Sequence, residues 1–148
     1  MTHPTLDAAL DRYIAFMNAL EAPDLIGRIQ GLTTPYVRFV DPFNDLNGQE
    51  AFKKAMEDFI KEVNNPQFDV RHRGWDGNTV LIQWFFTGSF KRSGKPWRFP
   101  GTTELRFNDD GFVELHYDHW DSGQHFYQML PIIGWAIRLI RRKIAVTA

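Results

Sequence analysis

The hydrophobic periodicity of the chain changes near residue 67, and this change constrains the fold more than any other feature. Before it, apolar residues recur at helical spacing, as at Leu6, Leu10, Ile14 and Met17. From Gln67 onward the spacing becomes two, which is typical of β-strands. Helices followed by a run of strands predict an α+β fold with the helices packed on one face of a curved antiparallel sheet.

The boundaries of the predicted helices and strands follow from the hydrophobic pattern and from the helix- and strand-breaking residues that interrupt it. Helices are predicted over residues 5–22, 24–31 and 52–63, and a short strand over 36–41 precedes the turn-rich stretch 42–48. Four strands are predicted over 68–75, 79–91, 97–107 and 112–120, joined by hairpin-like turns. A basic amphipathic helix over 132–146 follows Pro131.

The amino-acid composition limits the kinds of function to expect from this chain. A chain of 148 residues favours one domain, and the absence of cysteine excludes disulfides and thiolate chemistry. A net charge of -1 gives no sign of a nucleic-acid partner. The start lacks the features of a signal peptide and no apolar run reaches membrane-spanning length, so we expect a soluble cytoplasmic protein.

The last predicted strand carries the densest chemistry. The alternation of a strand places His116, Asp118 and Trp120 on one face of the sheet and the residues between them on the other face. If the first set faces a cavity, Asp118 and His116 form an acid–base pair; otherwise they form a salt-bridged polar face. A metal site from His116, Asp118 and Asp121 has no standard spacing, so no metal is expected.

Four segments, in order, resemble the nuclear transport factor 2-like superfamily, which includes ketosteroid isomerase and the SnoaL-type polyketide cyclases. The segment 12–18 is similar to the first helix of ketosteroid isomerase, and Val40-Asp41-Pro42 to the strand end that bears its general base. The segment 104–108 resembles its strand after the second oxyanion donor. The ending 111–118, followed by Asp121, resembles the SnoaL-type ending.

The resemblance implies a cone-shaped, cystatin-like sheet over residues 1–130, followed by a C-terminal extension over 131–148. Carried over by position, it implies that Tyr13 is a hydroxyl donor and Asp41 a base, where the alternatives are a core tyrosine and a turn aspartate. It places Thr103 where ketosteroid isomerase has an acid, so steroid isomerisation itself is not implied. It also implies that His116 and Asp118 face a pocket.

The function expected from this resemblance is acid–base chemistry on a small apolar substrate, without a cofactor, of the isomerase, dehydratase or cyclase type. Asp118 with His116 would move the proton, and Tyr13 and Thr103 would hydrogen-bond a substrate oxygen. The alternative is a non-catalytic carrier of an apolar ligand. The substrate-binding wall is expected from Thr103, Trp84, Phe86, Phe90, Trp97, Phe99 and Trp120.

Two surfaces are expected to need partners. The convex face of the sheet would expose Val113, Leu115, Tyr117 and Phe85, which predicts a homodimer through the sheet. The C-terminal helix would expose a wide apolar stripe beside four cations. It either folds back over the pocket mouth or a partner subunit, or makes peripheral contact with a membrane.

Overall fold

The computed structural model describes residues 4–146 and confirms the α+β architecture. Its helices are α1 (Pro4–Met17), α2 (Leu25–Leu32), α3 (Gln49–Glu62), α4 (Ser122–His125) and α5 (Pro131–Ile144). Its strands are β1 (Thr33–Val40), β2 (Asp45–Asn47), β3 (Val63–Asp76), β4 (Thr79–Phe90), β5 (Pro96–Phe107) and β6 (Val113–His119). A 3-10 turn, Tyr127–Met129, joins α4 to α5.

The six strands form one sheet in the order β2-β1-β6-β5-β4-β3. The β3–β6 meander is antiparallel, as predicted, but β1 pairs with β6 in parallel. A parallel neighbour needs a long crossover, which α3 and the other strands provide. The short β2 lies inside a stretch predicted to be turn only, where the Arg38–Asp45 ion pair (2.8 Å) supports the hairpin with β1.

Helix α1 ends earlier than the periodicity predicts, at Met17 instead of residue 22. The reason is the Arg28 guanidinium, which donates hydrogen bonds to the carbonyls of Ala19, Leu20, Ala22 and Pro23. These carbonyls are therefore satisfied without a continuing helix. Leu20 still reaches the core through the resulting turns.

The core lies between the concave face of the sheet and the apolar sides of α1 and α3. Leu10, Phe52, Phe86 and Leu105 are among its fully buried side chains. Val113 also belongs to it, which corrects its predicted position on the convex face. The cause is a register shift between Arg106 and Phe107, where β6 carries one extra residue and turns Val113 inward.

Candidate active site

The cross-strand register of β5 and β6 builds the centre of the site. Thr103 lies opposite Asp118, and Leu105 lies opposite His116. Leu105 is fully buried in the core, so this set of side chains points to the concave face. His116 and Asp118 therefore point inward, while Tyr117 on the intervening position is exposed on the convex face.

Five side chains form a continuous chain of hydrogen bonds across the interior. Tyr13 Oη lies 2.7 Å from His116 Nδ1, and His116 Nε2 lies 2.8 Å from Asp118 Oδ1. On the other side, Thr103 Oγ1 lies 2.5 Å from the same Asp118 oxygen. Trp84 Nε1 lies 2.7 Å from Thr103 Oγ1 and completes the chain. Helix α1 and three strands thus all converge on one carboxylate.

The direction of these bonds follows from the groups at the two ends. An indole N–H can only donate, so the Thr103 oxygen accepts from Trp84 and its own proton goes to Asp118. When Asp118 is ionised and His116 is neutral, the carboxylate can only accept, so the imidazole carries its proton on Nε2 and Nδ1 accepts from the Tyr13 phenol. Thr103 and His116 therefore both donate to Oδ1 of Asp118. The second oxygen of Asp118 has no hydrogen bond to any described residue.

Tyr13 is held in its neutral, donating form. Burial raises the pKa of the Tyr13 phenol well above its ordinary value of 10.0, and the nearby negative charge of Asp118 raises it further. The ring is almost wholly enclosed, packed against Phe16 and the imidazole of His116. The hydroxyl is thus a buried part of the network.

Asp118 is the member of the chain that meets open space. Its side chain remains 15% exposed, whereas that of His116 is 4% exposed. It lines an aromatic cavity of about 90 Å³. The other lining residues are Met17, Phe39, Asp41, Phe43, Met56, Phe59, Phe68, Trp84, Phe86, Trp97, Phe99 and Trp120.

A second, smaller cavity adjoins the first. Tyr13, His116 and Thr103 line it, and it shares Trp84 and Asp118 with the first. The network therefore lies between two neighbouring cavities, both lined mainly by apolar side chains. Only Asp118 and Trp84 among the five network residues border both.

Most of the expected aromatic wall lines the open cavity, but Phe90 does not. Its ring stacks on Trp97 with centroids 4.7 Å apart, on the side away from the cavity. Strand alternation places Phe90 on the correct face, yet it lies beyond the last β4–β5 pair, where the hairpin turns away. Trp97 covers it.

The hydroxyls of Tyr13 and Thr103 make their hydrogen bonds within the protein. Both hydroxyls are expected to bind a substrate oxygen, but each already donates its single proton to a protein acceptor. Trp120 offers a donor that sequence reasoning assigned only to the wall. Its indole N–H makes no hydrogen bond to a described residue, and the ring lines the cavity beside Asp118.

Asp41 lines the cavity, but its carboxylate is occupied by the turn that follows β1. Oδ1 accepts from the backbone N–H groups of Phe43 and Asn44 at 2.7 and 2.8 Å. The Asn44 amide also reaches both oxygens, at 3.1 and 3.2 Å. This is the turn aspartate that the sequence left as the alternative to a base.

The mouth of the cavity is closed partly by residues that the sequence did not indicate. The ring of Phe43 packs edge-to-face on Trp120 and Phe126, with centroids 5.6 and 5.0 Å apart. Trp97 Nε1, from the cavity wall, donates to the carbonyl of His125 at 2.7 Å, which fixes the end of α4 against β5. Phe43 lies in a turn and Phe126 between two short helices, so periodicity gave no signal for either.

Among residues 4–146, no group of three or more His, Cys, Asp or Glu side chains is placed to hold a metal ion. Asp121, one of the three residues weighed as metal ligands from the sequence, instead caps α4 by accepting a hydrogen bond from the Gln124 N–H at 2.9 Å. Aspartate is favoured at helix N-caps because its carboxylate oxygen accepts such a bond.

The family assignment follows from a comparison of the sequence with family models. The model of the SnoaL-like domain matches residues 13–116, from the network tyrosine to the network histidine. The chain belongs to the SnoaL-like family. A comparison with curated proteins found no match.

Solved structures agree with the SnoaL-like assignment at the level of the fold. A nuclear transport factor 2-like protein of unknown function from Exiguobacterium is 22% identical, with a TM-score of 0.65 over 76% of this chain and 98% of its own. A protein from Jannaschia proposed to be a SnoaL-like polyketide cyclase is 15% identical, with a TM-score of 0.70 over 80% and 89%. A hypothetical protein with a ketosteroid isomerase-like fold from Catenulispora acidiphila, in complex with trimethylamine, is 18% identical, with a TM-score of 0.69 over 90% and 98%.

These likenesses confirm the predicted fold of this SnoaL-like chain and do not carry an activity. Asp118 lies two residues beyond the matched range of the family model. The chemistry of the site therefore has to be argued from its own geometry.

Proposed function

We propose that the protein is an enzyme that moves a proton on a small apolar substrate, with Asp118 as the acid–base group. The observation that carries the proposal is the asymmetric carboxylate of Asp118. Two donors fix Oδ1, while Oδ2 is left without a protein partner beside an aromatic cavity. Proton transfer of this kind needs a positioned group within hydrogen-bond reach of the substrate.

The network prepares Asp118 for either direction of transfer. As a carboxylate it keeps two hydrogen bonds that stabilise its charge while Oδ2 accepts a proton. As an acid it keeps the same two bonds on Oδ1 while Oδ2 donates. His116, Tyr13 and Thr103 are positioning residues in this proposal, since they act through Asp118 and none offers a free proton to the open cavity.

Trp120 supplies the expected contact with a substrate oxygen. Its ring stacks on Phe99 with centroids 4.5 Å apart, which fixes the plane of the indole. In this proposal the substrate's carbonyl oxygen binds the free indole N–H, and the neighbouring carbon is the one that exchanges a proton with Asp118, which lines the same cavity. Charge that develops on such an oxygen is stabilised by a donor already in place.

The reaction class that fits is removal or return of a proton next to a carbonyl group. Isomerisation, dehydration and aldol-type cyclisation share this step. The cavity is lined mainly by aromatic and thioether side chains, so the substrate is expected to be apolar. The neighbour from Jannaschia, proposed to be a polyketide cyclase, is compatible with this class.

The test is a proton-exchange assay that does not require the natural substrate. Apolar ketones are incubated with the protein in deuterated water, and loss of the proton next to the carbonyl is followed by NMR. We expect exchange with the wild type and a loss of at least about 100-fold in Asp118→Asn. Asp41→Asn is the matched control, since an asparagine can still accept the turn hydrogen bonds and exchange should continue.

One observation favours a second candidate, a carrier of apolar ligands. The hydroxyls of Tyr13 and Thr103 are both consumed inside the protein, so the site presents few donors to a reacting oxygen. A carrier would bind ketones, seen by quenching of tryptophan fluorescence, without exchange in any variant. Binding without exchange in the wild type would therefore reject the enzyme and favour the carrier.

A further inference from the structure

Helix α5 is attached to the rest of the protein by its polar side. Gly134 is buried, and a Cβ atom placed there would lie 2.1 Å from the Gln128 carbonyl oxygen. Arg138 donates to that same carbonyl at 2.9 Å, and Arg141 donates to the Gln128 side chain at 3.1 Å. Positions 134, 138 and 141 share one face of a helix. That face rests on the 3-10 turn.

The apolar side of α5 consequently points away from the protein. Ile132, Trp135 and Ile144 are 82%, 62% and 77% exposed. Ile133, Leu139 and Ile140 are exposed as well. None of the residues that line the open cavity belongs to α5, so the single chain does not show the expected fold-back over the pocket mouth. An outward apolar helix face requires an apolar partner.

The charge of the helix selects the partner. Arg138, Arg141, Arg142 and Lys143 lie in α5, and the last acidic residue of the chain is Asp121. Two α5 helices packed through their apolar sides would bring Arg142 and Lys143 of both copies close together, with no acidic residue in the helix to compensate. An anionic lipid surface offers both an apolar layer for the isoleucines and tryptophan and phosphate groups for the cations.

We propose that α5 docks the protein on an anionic membrane surface, lying in the plane of the headgroups. None of the helices in residues 4–146 is long and apolar enough to cross a membrane, and this proposal requires only insertion of one face. Arg142, beside Trp135 at the edge of the apolar stripe, and Lys143, in the last turn of the helix, would bind headgroups while their aliphatic stems lie against the acyl chains. The proposal does not depend on the proposed acid–base function.

The position of α5 gives such docking a consequence for the cavity. Gln128, on which the helix rests, follows Tyr127, whose ring contacts Phe43 at the cavity mouth with centroids 6.2 Å apart. A membrane-bound α5 would therefore hold the cavity mouth close to the lipid surface, because only the short 3-10 turn separates the two. Apolar ligands concentrate in that layer.

The test is co-sedimentation of the full chain with vesicles of phosphatidylcholine, with and without phosphatidylglycerol. We expect binding to the anionic vesicles, and binding at least about tenfold weaker for Trp135→Ser/Ile140→Ser. Arg142→Gln/Lys143→Gln should weaken binding to anionic vesicles and remove its salt dependence. Tyr36→Ser, an exposed aromatic on β1, is the matched control and should bind like the wild type.

Three results would overturn the proposal. The first is a folded wild type that fails to co-sediment with anionic vesicles. The second is equal binding by the wild type and Trp135→Ser/Ile140→Ser, or equal binding to neutral and anionic vesicles. The third is a lipid-free dimer that dissociates in Trp135→Ser/Ile140→Ser, since the apolar face would then be covered by a second copy. The changed side chains are solvent-exposed, so circular dichroism should show unchanged folding in every variant.

Discussion

The Thr103 hydroxyl connects two groups that each depend on it. It accepts the buried indole proton of Trp84 and donates to Asp118, so a valine at this position leaves one donor unpaired and one carboxylate with fewer bonds. We expect Thr103→Val to lower the free energy of unfolding by about 1–3 kcal/mol in urea titrations. Thr102→Val, on the half-buried convex side of the same strand, should change it by less than about 0.5 kcal/mol. Equal effects would mean that the network adds no stability.

Tyr13 predicts a specific dependence of stability on alkaline pH. Its pKa is raised above 10.0 in the folded state by burial and by Asp118, so the folded protein keeps a proton that the unfolded chain loses. This stability is fully present below pH 10.0 and is lost as the pH rises toward the folded pKa. The free energy of unfolding, measured in urea, should therefore fall more steeply above that pH for the wild type than for Tyr13→Phe.

The phenylalanine variant separates this effect from the loss of a hydrogen bond. Near neutral pH it should be less stable than the wild type by about 1 kcal/mol, because His116 Nδ1 loses its donor. Tyr36→Phe changes an exposed phenol and should leave both the stability and its pH dependence unaltered. A Tyr13→Phe curve parallel to that of the wild type would contradict the assignment.

For individual residues of the site, the sequence predicted where the side chains lie better than which hydrogen bonds they make. Alternation along β6 was sufficient to place His116 and Asp118 on one face, because the period of a strand is two. The pairing of Thr103 with Asp118 depends on the register across a bulged hairpin, which no local pattern determines. The role of Thr103 as an internal donor follows from Trp84 on a third strand, so it required the tertiary structure.

At the scale of secondary-structure elements, Gly101 lets β5 approach a tryptophan on its neighbour. It lies opposite Trp84, and a Cβ atom placed there would lie 2.2 Å from the indole ring. Gly101→Ala should displace Trp84, break its bond to Thr103 and cost about 1–3 kcal/mol of unfolding free energy. Gly74→Ala on β3 meets no atom within 4 Å and is the matched control. Indistinguishable melting curves for the two variants would refute this account.

Element types were predicted more reliably than element ends. The three N-terminal helices, the meander and the C-terminal helix follow from strong periodicity. The early end of α1 depends on Arg28, which lies in the next helix, and β2 exists because β1 supplies its partner. Both are interactions between segments, and a pattern within one segment does not contain them.

At the scale of the whole molecule, the convex face of the sheet is less apolar than the sequence suggested. Val113 has moved to the core, and Leu115 is only 8% exposed between Arg38 and Arg106 on the neighbouring strands. The large apolar side chains left exposed on this face include Leu81 and Tyr117. The apolar area that drives association is therefore smaller than four exposed residues would provide.

We propose that this face nevertheless pairs with a second copy, because a sheet face with central apolar side chains suits an isologous interface. The full chain should sediment as a dimer at about micromolar concentration, and Leu81→Asp should raise its dissociation constant at least about tenfold by placing a charge in the contact. Trp135→Ser/Ile140→Ser should leave the dimer intact, since α5 is assigned to lipid. A wild type that is monomeric at this concentration would show that the remaining convex patch is too small to hold two subunits together.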